Sequence, residues 1–383
     1  MYLSPGWLLW VRAGTLVARR LELERRALIG DLVTLADAVA FDTNSASSAV
    51  SVSSSGLVAF RSGAGARRQL VWFDRSGNRL GTQGVPDENG LNFPSVSPDG
   101  RRVAVSRTVQ GNTNIWLLDG TRTSRFTYDA TLDRYPIWSP DGRQIVFTSF
   151  RKVMDLYQKS SSGSGAEDLL LESPLAKVPY DWSADGRFLL YMSADLQTGA
   201  DLWVLPMHGS RTSAGPGGST PWEFLKTRFD ERQGAFSPDG RWIAYTSDES
   251  GRYEIYVRPF AERATSGEAA NAAAGQPGSP PRTLARWGGK WQVSTSGGMF
   301  PRWRSDGKEL YYLGPRGEMM AAPIAVTDTT LTPGAPVALF SARIVVASNE
   351  RQYDVTRDGR FLINTVLDDA SAPITLLQNW RPR

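Results

Sequence analysis

The stretch from Phe93 to Val105, FPSVSPDGRRVAV, is a short apolar strand, a tight turn and a second apolar strand. Pro98 presets φ for the first central turn position, and Asp99 can bond neighbouring backbone. Gly100 supplies the positive φ that closes a type I turn into a bulged hairpin. One such hairpin is marginal in water, but the chain rebuilds it. Ser97-Pro98-Asp99-Gly100, Ser139-Pro140-Asp141-Gly142, Ser183-Ala184-Asp185-Gly186 and Ser237-Pro238-Asp239-Gly240 are close copies. Ser305-Asp306-Gly307 and Arg357-Asp358-Gly359 are eroded ones, and Ser53-Ser54-Ser55-Gly56 and Ser4-Pro5-Gly6 are weaker still. Turns near residues 6, 56, 100, 142, 186, 240, 307 and 359 thus punctuate the whole of 1–383.

Repetition at this interval constrains the fold more than any local propensity. The first clear turn glycines are 42 and 44 residues apart, the length of one propeller blade. An apolar strand follows each turn, as at Val103-Ala104-Val105, Ile145-Val146-Phe147 and Trp242-Ile243-Ala244-Tyr245. A third strand opens on a polar residue and an apolar pair: Asn114-Ile115-Trp116, Asp155-Leu156-Tyr157, Asp201-Leu202-Trp203 and Glu254-Ile255-Tyr256. A weaker fourth strand closes the unit, as at Ser124-Arg125-Phe126-Thr127. The pattern predicts an all-β chain, a β-propeller of four-stranded antiparallel blades whose faces bury one another. Eight units predict a single eight-bladed ring over 1–383, since closing them together orphans no repeat. The alternative is a six-bladed ring over 78–383, with Asn78 to Gly84 completing the last blade and an N-terminal β remnant outside it. Residues 261–282, rich in Ala, Gly and Pro, read as a flexible insertion.

Composition excludes several function classes. There is no Cys, so disulfides, thiolate chemistry and Cys-ligated zinc are absent. The net charge is only +4, with doublets such as Arg67-Arg68 isolated from one another, which argues against a nucleic-acid footprint. No run approaches 18 apolar residues, and Met1 to Val11 lacks the basic start and cleavage site of a secretory leader, so it reads as a strand.

The recurring Ser-Pro-Asp-Gly-Arg/Lys turn resembles the PD40 repeat of TolB-type, WD40-like propellers. Arg68 to Gly77, Gly111 to Asp119, Tyr353 to Asn364 and Pro373 to Trp380 are similar, more narrowly, to the C-terminal propellers of bacterial eukaryotic-type serine/threonine kinases. That resemblance implies an extracytoplasmic sensor or binding module, preceded in relatives by a kinase, a membrane helix and more propeller repeats. This chain carries no Gly-rich loop with a β3 lysine, no His-Arg-Asp loop and no Asp-Phe-Gly, so kinase activity does not carry over.

Catalytic chemistry finds little support. The one histidine, His208, sits in a turn after a third strand, which leaves no Ser-His-Asp triad and no multi-histidine metal site. The turn aspartates (Asp99, Asp141, Asp185, Asp239, Asp306, Asp358) recur because they bond local backbone. Asn114, Asp155, Asp201 and Glu254 read as satisfying backbone or neighbouring blades. Trp116, Trp138, Trp182, Trp203 and Trp303 read as packing between blades. Asp248-Glu249 with Glu254, and Asp368-Asp369, are the best acidic clusters, and no metal or cofactor is assigned. What remains is the mouth formed by loops entering the innermost strands. It offers Asn92, Phe93, Arg134, Tyr135, Lys177, Tyr180, Arg232, Gln233, Phe300, Arg351 and Tyr353, residue types that suit a partner surface for a protein, peptide or glycan. The expected function is a non-enzymatic sensor or binding module. The alternative is a propeller hydrolase, lactonase or lyase using a pore-bound divalent cation. By this geometry the Ser-Pro-Asp-Gly turns lie on the face opposite the mouth.

Overall fold

Each turn folds as its residues dictate. Gly100 N donates to Ser97 O at 2.8 Å, Ser97 Oγ donates to Asp99 Oδ1 at 2.5 Å, and Asp99 Oδ1 also accepts Arg101 N–H at 3.1 Å. Gly100 sits at φ 71°. The same cradle recurs at Ser139/Asp141, Ser183/Asp185 and Ser237/Asp239, and with a threonine at Thr356/Asp358. These donors hold Asp99 and Asp141 below the usual carboxylate range, the serine hydroxyl contributing most. The aspartates therefore specify architecture.

The structure, a computed structural model, describes the chain except for residues 13, 38, 40, 43–46, 62–66, 89, 208–219, 262–288, 328–329, 345–349, 368–373, 379 and 381–383. His208, nearly all of the 261–282 insertion and Asp368-Asp369 lie outside the described residues.

Four of the repeats become four-stranded meanders, innermost strand first. Blade I is Asn92–Val96, Arg102–Val109, Asn112–Asp119 and Arg122–Arg125. Blade II is Asp133–Trp138, Gln144–Ser149, Asp155–Ser160 and Asp168–Leu171, and blade III is Lys177–Trp182, Phe188–Asp195, Gly199–Pro206 and Trp222–Leu225. Blade IV is Glu231–Phe236, Trp242–Ser247, Glu254–Pro259 and Trp291–Gln292. Blade V runs Met299–Trp303, Glu309–Leu313 and Glu318–Thr327, and both Thr330–Pro333 and Val337–Ser341 pair with that third strand. Blade VI is composite: Tyr353–Val355 pairs with Phe361–Val366, which pairs in turn with Arg68–Phe73, and that strand carries Arg79–Asp87 on its outer side.

Apolar cores lie between successive blades, and the last joins VI back to I through Leu70, Trp72 and Leu362 against Val103, Val105 and Leu118. Between I and II, Ile115, Phe126, Trp138 and Phe147 pack together, and between V and VI, Phe300, Tyr311, Tyr353 and Phe361 do. The result is a closed ring of six sheets, a multi-blade propeller as expected in class. The single eight-bladed ring is not what forms. The six-bladed alternative needs its boundary moved: the N-terminal segment donates two strands, beginning at Arg68 and not at Asn78.

The first two repeats stand outside this ring. Tyr2–Leu3, Trp7–Arg12, Thr15–Glu22 and Ala27–Ala36 form one sheet. Val50–Val52 and Val58–Arg61 form a second, whose third strand is Ile374–Leu377 from the far end of the chain. Leu9, Leu16, Val58 and Phe60, with Leu377 and Trp380, make the core between them, and Trp380 meets Trp7 edge-on at 5.3 Å.

The candidate binding funnel

Six innermost strands line the axis, and their alignment on the turn serine shows what faces it. Two residues before Ser97, Ser139, Ser183, Ser237, Arg304 and Thr356 stand Ser95, Ile137, Asp181, Ala235, Arg302 and Asp354. All six line one cavity of about 410 Å³, which opens among Pro98, Pro140, Ala184 and Pro238 on the turn face. Trp138, Trp182, Trp303 and Phe236 form its wall. The indole N–H of Trp138 is spent on Ser95 O at 2.9 Å, that of Trp182 on Gly186 O at 3.0 Å and that of Trp303 on Ala235 O at 3.1 Å. Their rings therefore offer apolar faces with no unsatisfied donor.

The floor is charged. Asp354 accepts Arg302 Nε and Arg351 Nη1 on one oxygen, each at 3.3 Å, and Val96 N–H on the other at 2.8 Å. Asp181 makes the matching contact half a ring away, accepting Phe236 N–H at 2.8 Å. No cation lies within ion-pair distance of Asp181 among the described residues. Burial pushes its carboxyl up to about 6, against the opposing pull of Arg302. Asp354 is raised too, by burial above all.

The residues of the expected mouth are largely buried or bonded to one another. Asn92 lies buried, its Oδ1 accepting Arg68 Nη1 at 2.6 Å and Gln352 Nε2 at 2.9 Å. The rings of Phe93 and Tyr135 meet at 4.3 Å. Gln233 Oε1 accepts Phe300 N–H at 2.9 Å, and Phe300 O accepts Tyr353 OH at 2.5 Å. Phe93, Tyr135, Gln233 and Phe300 share φ between 53° and 60°, at the register shift of each inner strand, and Pro94, Pro136, Gly234 and Pro301 follow them. Blades III and VI instead carry Pro179-Tyr180 and Gln352-Tyr353 at these positions, each followed by an aspartate. The aromatic residues are thus brought together in neighbouring pairs, Phe93 with Tyr135 and Phe300 with Tyr353.

The charged candidates are mostly held by partners. Lys177, 1% exposed, pairs with Asp155 at 2.8 Å and donates to Ser173 O and Leu175 O. Arg134 reaches Glu350 at 4.0 Å and Arg232 reaches Asp230 at 2.6 Å. Only Tyr180 and Arg351 of the predicted set also line the funnel. Asn114 donates to Asp129 O, Asp201 accepts Thr198 Oγ1 and Glu254 accepts Gly297 N–H, as structural roles require. Asp248 accepts Asp230 N–H and Glu249 pairs with Lys290, so they and Glu254 do not converge. Sequence reasoning missed Asp181, Arg302 and Asp354, and it assigned Trp138, Trp182 and Trp303 to packing alone. The available signal was charge in the middle of an otherwise small or apolar inner strand, and the paired Tyr-Asp steps.

Comparison with known proteins agrees with this architecture. Residues 75–207 match the PD40 model, described as a TolB beta propeller domain. The chain is 25% identical over 213 residues to the uncharacterized peptidase YuxL of Bacillus subtilis, covering 43% of this chain and 31% of that one. It is 32% identical over 123 residues to an uncharacterized protein of Agrobacterium fabrum, covering 31% of this chain and 41% of that one. It therefore spans less than half the length of these relatives. A solved structure from Agrobacterium tumefaciens, titled "The structure of putative TolB", superposes with a TM-score of 0.56 at 16% identity, over 79% of this chain and 99% of that one. A closed ring of Ser-Pro-Asp-Gly blades, a PD40 match over residues 75–207 within it and a similar fold in a solved structure make the chain a β-propeller that carries PD40-type repeats.

Proposed function

We propose that this propeller is a non-enzymatic sensor or binding module that takes a protein or peptide segment into the funnel on its turn face. The observation that carries this is one cavity with a tryptophan wall and a polar floor, in which Asp181 has no cationic partner among the described residues while Arg302 and Arg351 share Asp354. An apolar wall gives affinity, and a few placed polar groups give orientation. The resemblance of Tyr353 to Asn364 and Pro373 to Trp380 supports an extracytoplasmic place in a kinase-type signalling protein. The enzymatic alternative needs carboxylates converging on a cation, and no group of three metal-binding side chains does so among the described residues.

Panning a displayed peptide library against the full chain tests the site. Selected peptides should lose at least tenfold in affinity on Trp182→Ala or Arg302→Ala, and be indifferent to Arg134→Ala with Arg232→Ala. The reverse pattern would place binding on the opposite face and sink the funnel.

A further inference from the structure

Every ring sheet has an outer strand beside its third strand; the sheet of Val50–Val52, Val58–Arg61 and Ile374–Leu377 has none among the described residues. Ile374–Leu377 is its edge. Register shows what is missing. Ile374, Thr375, Leu376 and Leu377 oppose Arg61, Phe60, Ala59 and Val58 as Ile115, Trp116, Leu117 and Leu118 oppose Ser106, Val105, Ala104 and Val103. In blade I the outer side of Ile115 is fully used: its O accepts Phe126 N–H at 2.8 Å, and its N–H donates to Thr127 Oγ1 at 3.0 Å. Blade IV repeats this, Ile255 O accepting Val293 N–H and Ile255 N–H donating to Ser294 Oγ, both at 2.8 Å. Phe126 and Val293 join Ile115 and Ile255, both 0% exposed, in cores that the following blade also covers; Ile374 and Leu376, on the corresponding face of a sheet with neither cover among the described residues, are 64% and 51% exposed.

We propose that the Ile374–Leu377 edge is a docking site for an extended peptide that adds antiparallel as the missing fourth strand. Its recognition element is an apolar residue opposite Ile374 followed directly by Ser or Thr, whose hydroxyl accepts the Ile374 N–H. Main-chain pairing gives such strand addition its affinity, and the apolar–hydroxyl step gives it selectivity. An open edge of this kind is otherwise a template for self-association, which natural sheets cover or blunt. Ile374 and Leu376 leave it neither charged nor covered.

The test uses the full chain and a fluorescent peptide of residues 122–128, RTSRFTY, read by polarisation. Alternation along a strand points the N–H of Leu376 outward with that of Ile374. Leu376→Pro therefore removes an outward donor and keeps the pairing to Val58–Arg61. Binding should weaken at least tenfold for Leu376→Pro and for Ile374→Asp, with unchanged thermal midpoints, and for a peptide with aspartate in place of Phe126. Equal binding by these variants, or no binding to the native chain at millimolar peptide, overturns the proposal. A dimer in sedimentation that Ile374→Asp breaks and the peptide does not would assign the edge to a second copy, and also overturns it.

Discussion

At the scale of single residues, burial decides which titratable groups are architecture and which are poised. Lys177 and Asp155 are both essentially inaccessible, so removing one partner leaves an uncompensated charge. Lys177→Met should cost roughly 3–5 kcal/mol in thermal or urea unfolding, and Asp155→Leu added to it should recover most of that loss. Glu231 is the contrary case: burial raises it from the ordinary 4.5 to about 7, and Asp201 and Glu249 push the same way. Its folded form binds a proton that the unfolded chain releases near pH 4.5. The stability this represents is full below that pH and lost as pH rises through 7, roughly 3 kcal/mol in all. The melting temperature should fall between pH 5 and 8, and Glu231→Gln should flatten that fall. An unchanged slope would mean that Glu231 titrates normally.

At the scale of elements, the turn and the third strand have different jobs. The serine hydroxyl of each turn both donates to the aspartate and accepts a backbone N–H from the next strand, as Ser139 Oγ does from Gln144 at 2.9 Å. Ser139→Ala should therefore lower stability by about 1–2 kcal/mol without touching the funnel. The third strand Arg68–Phe73 is held in the ring by particular side chains. Trp72 lies under Arg360 at 4.8 Å and in the core with Val103, Phe73 stacks on Phe340 at 5.7 Å, and Arg75 beyond it pairs with Glu309 at 2.5 Å. Trp72→Ala removes a wedge between the first and last blades and should cost about 3–5 kcal/mol.

At the scale of the whole molecule, the chain exchanges strands between two repeats. The hairpin Val50–Val52/Val58–Arg61 is followed in sequence by Arg68–Phe73, yet that strand pairs with Phe361–Val366, and Ile374–Leu377 takes its place beside Val58–Arg61. Because the chain has no Cys, the exchange can be tested by cross-linking. Arg61→Cys with Ile374→Cys joins directly opposed residues, whose spacing suits a disulfide. Under oxidant this pair should close within one chain, giving a faster-migrating band; persistent free thiols would favour the unexchanged pairing of an eight-bladed ring.

The sequence by itself determined the blade. Pro98, Asp99 and Gly100 act within a few residues of one another, and period-two apolar strands follow from the need to bury both faces of each sheet, so hairpins, repeat count and fold class were all legible locally. The turn aspartates were read correctly for the same reason. Ring size was not legible, because Leu70-Val71-Trp72-Phe73 and Ile374-Thr375-Leu376-Leu377 carry the same third-strand pattern and either can pair with either hairpin. The contacts of Trp72 with Arg360, Phe73 with Phe340 and Arg75 with Glu309 discriminate, and these join residues more than 200 positions apart. The site was displaced for a related reason. Phe93, Phe300 and Tyr353 are surface-like as loop residues, and only the convergence of neighbouring blades buries them, with Tyr135 half-buried against Phe93. The same convergence leaves the funnel open among the Ser-Pro-Asp-Gly turns that first marked the chain as a propeller.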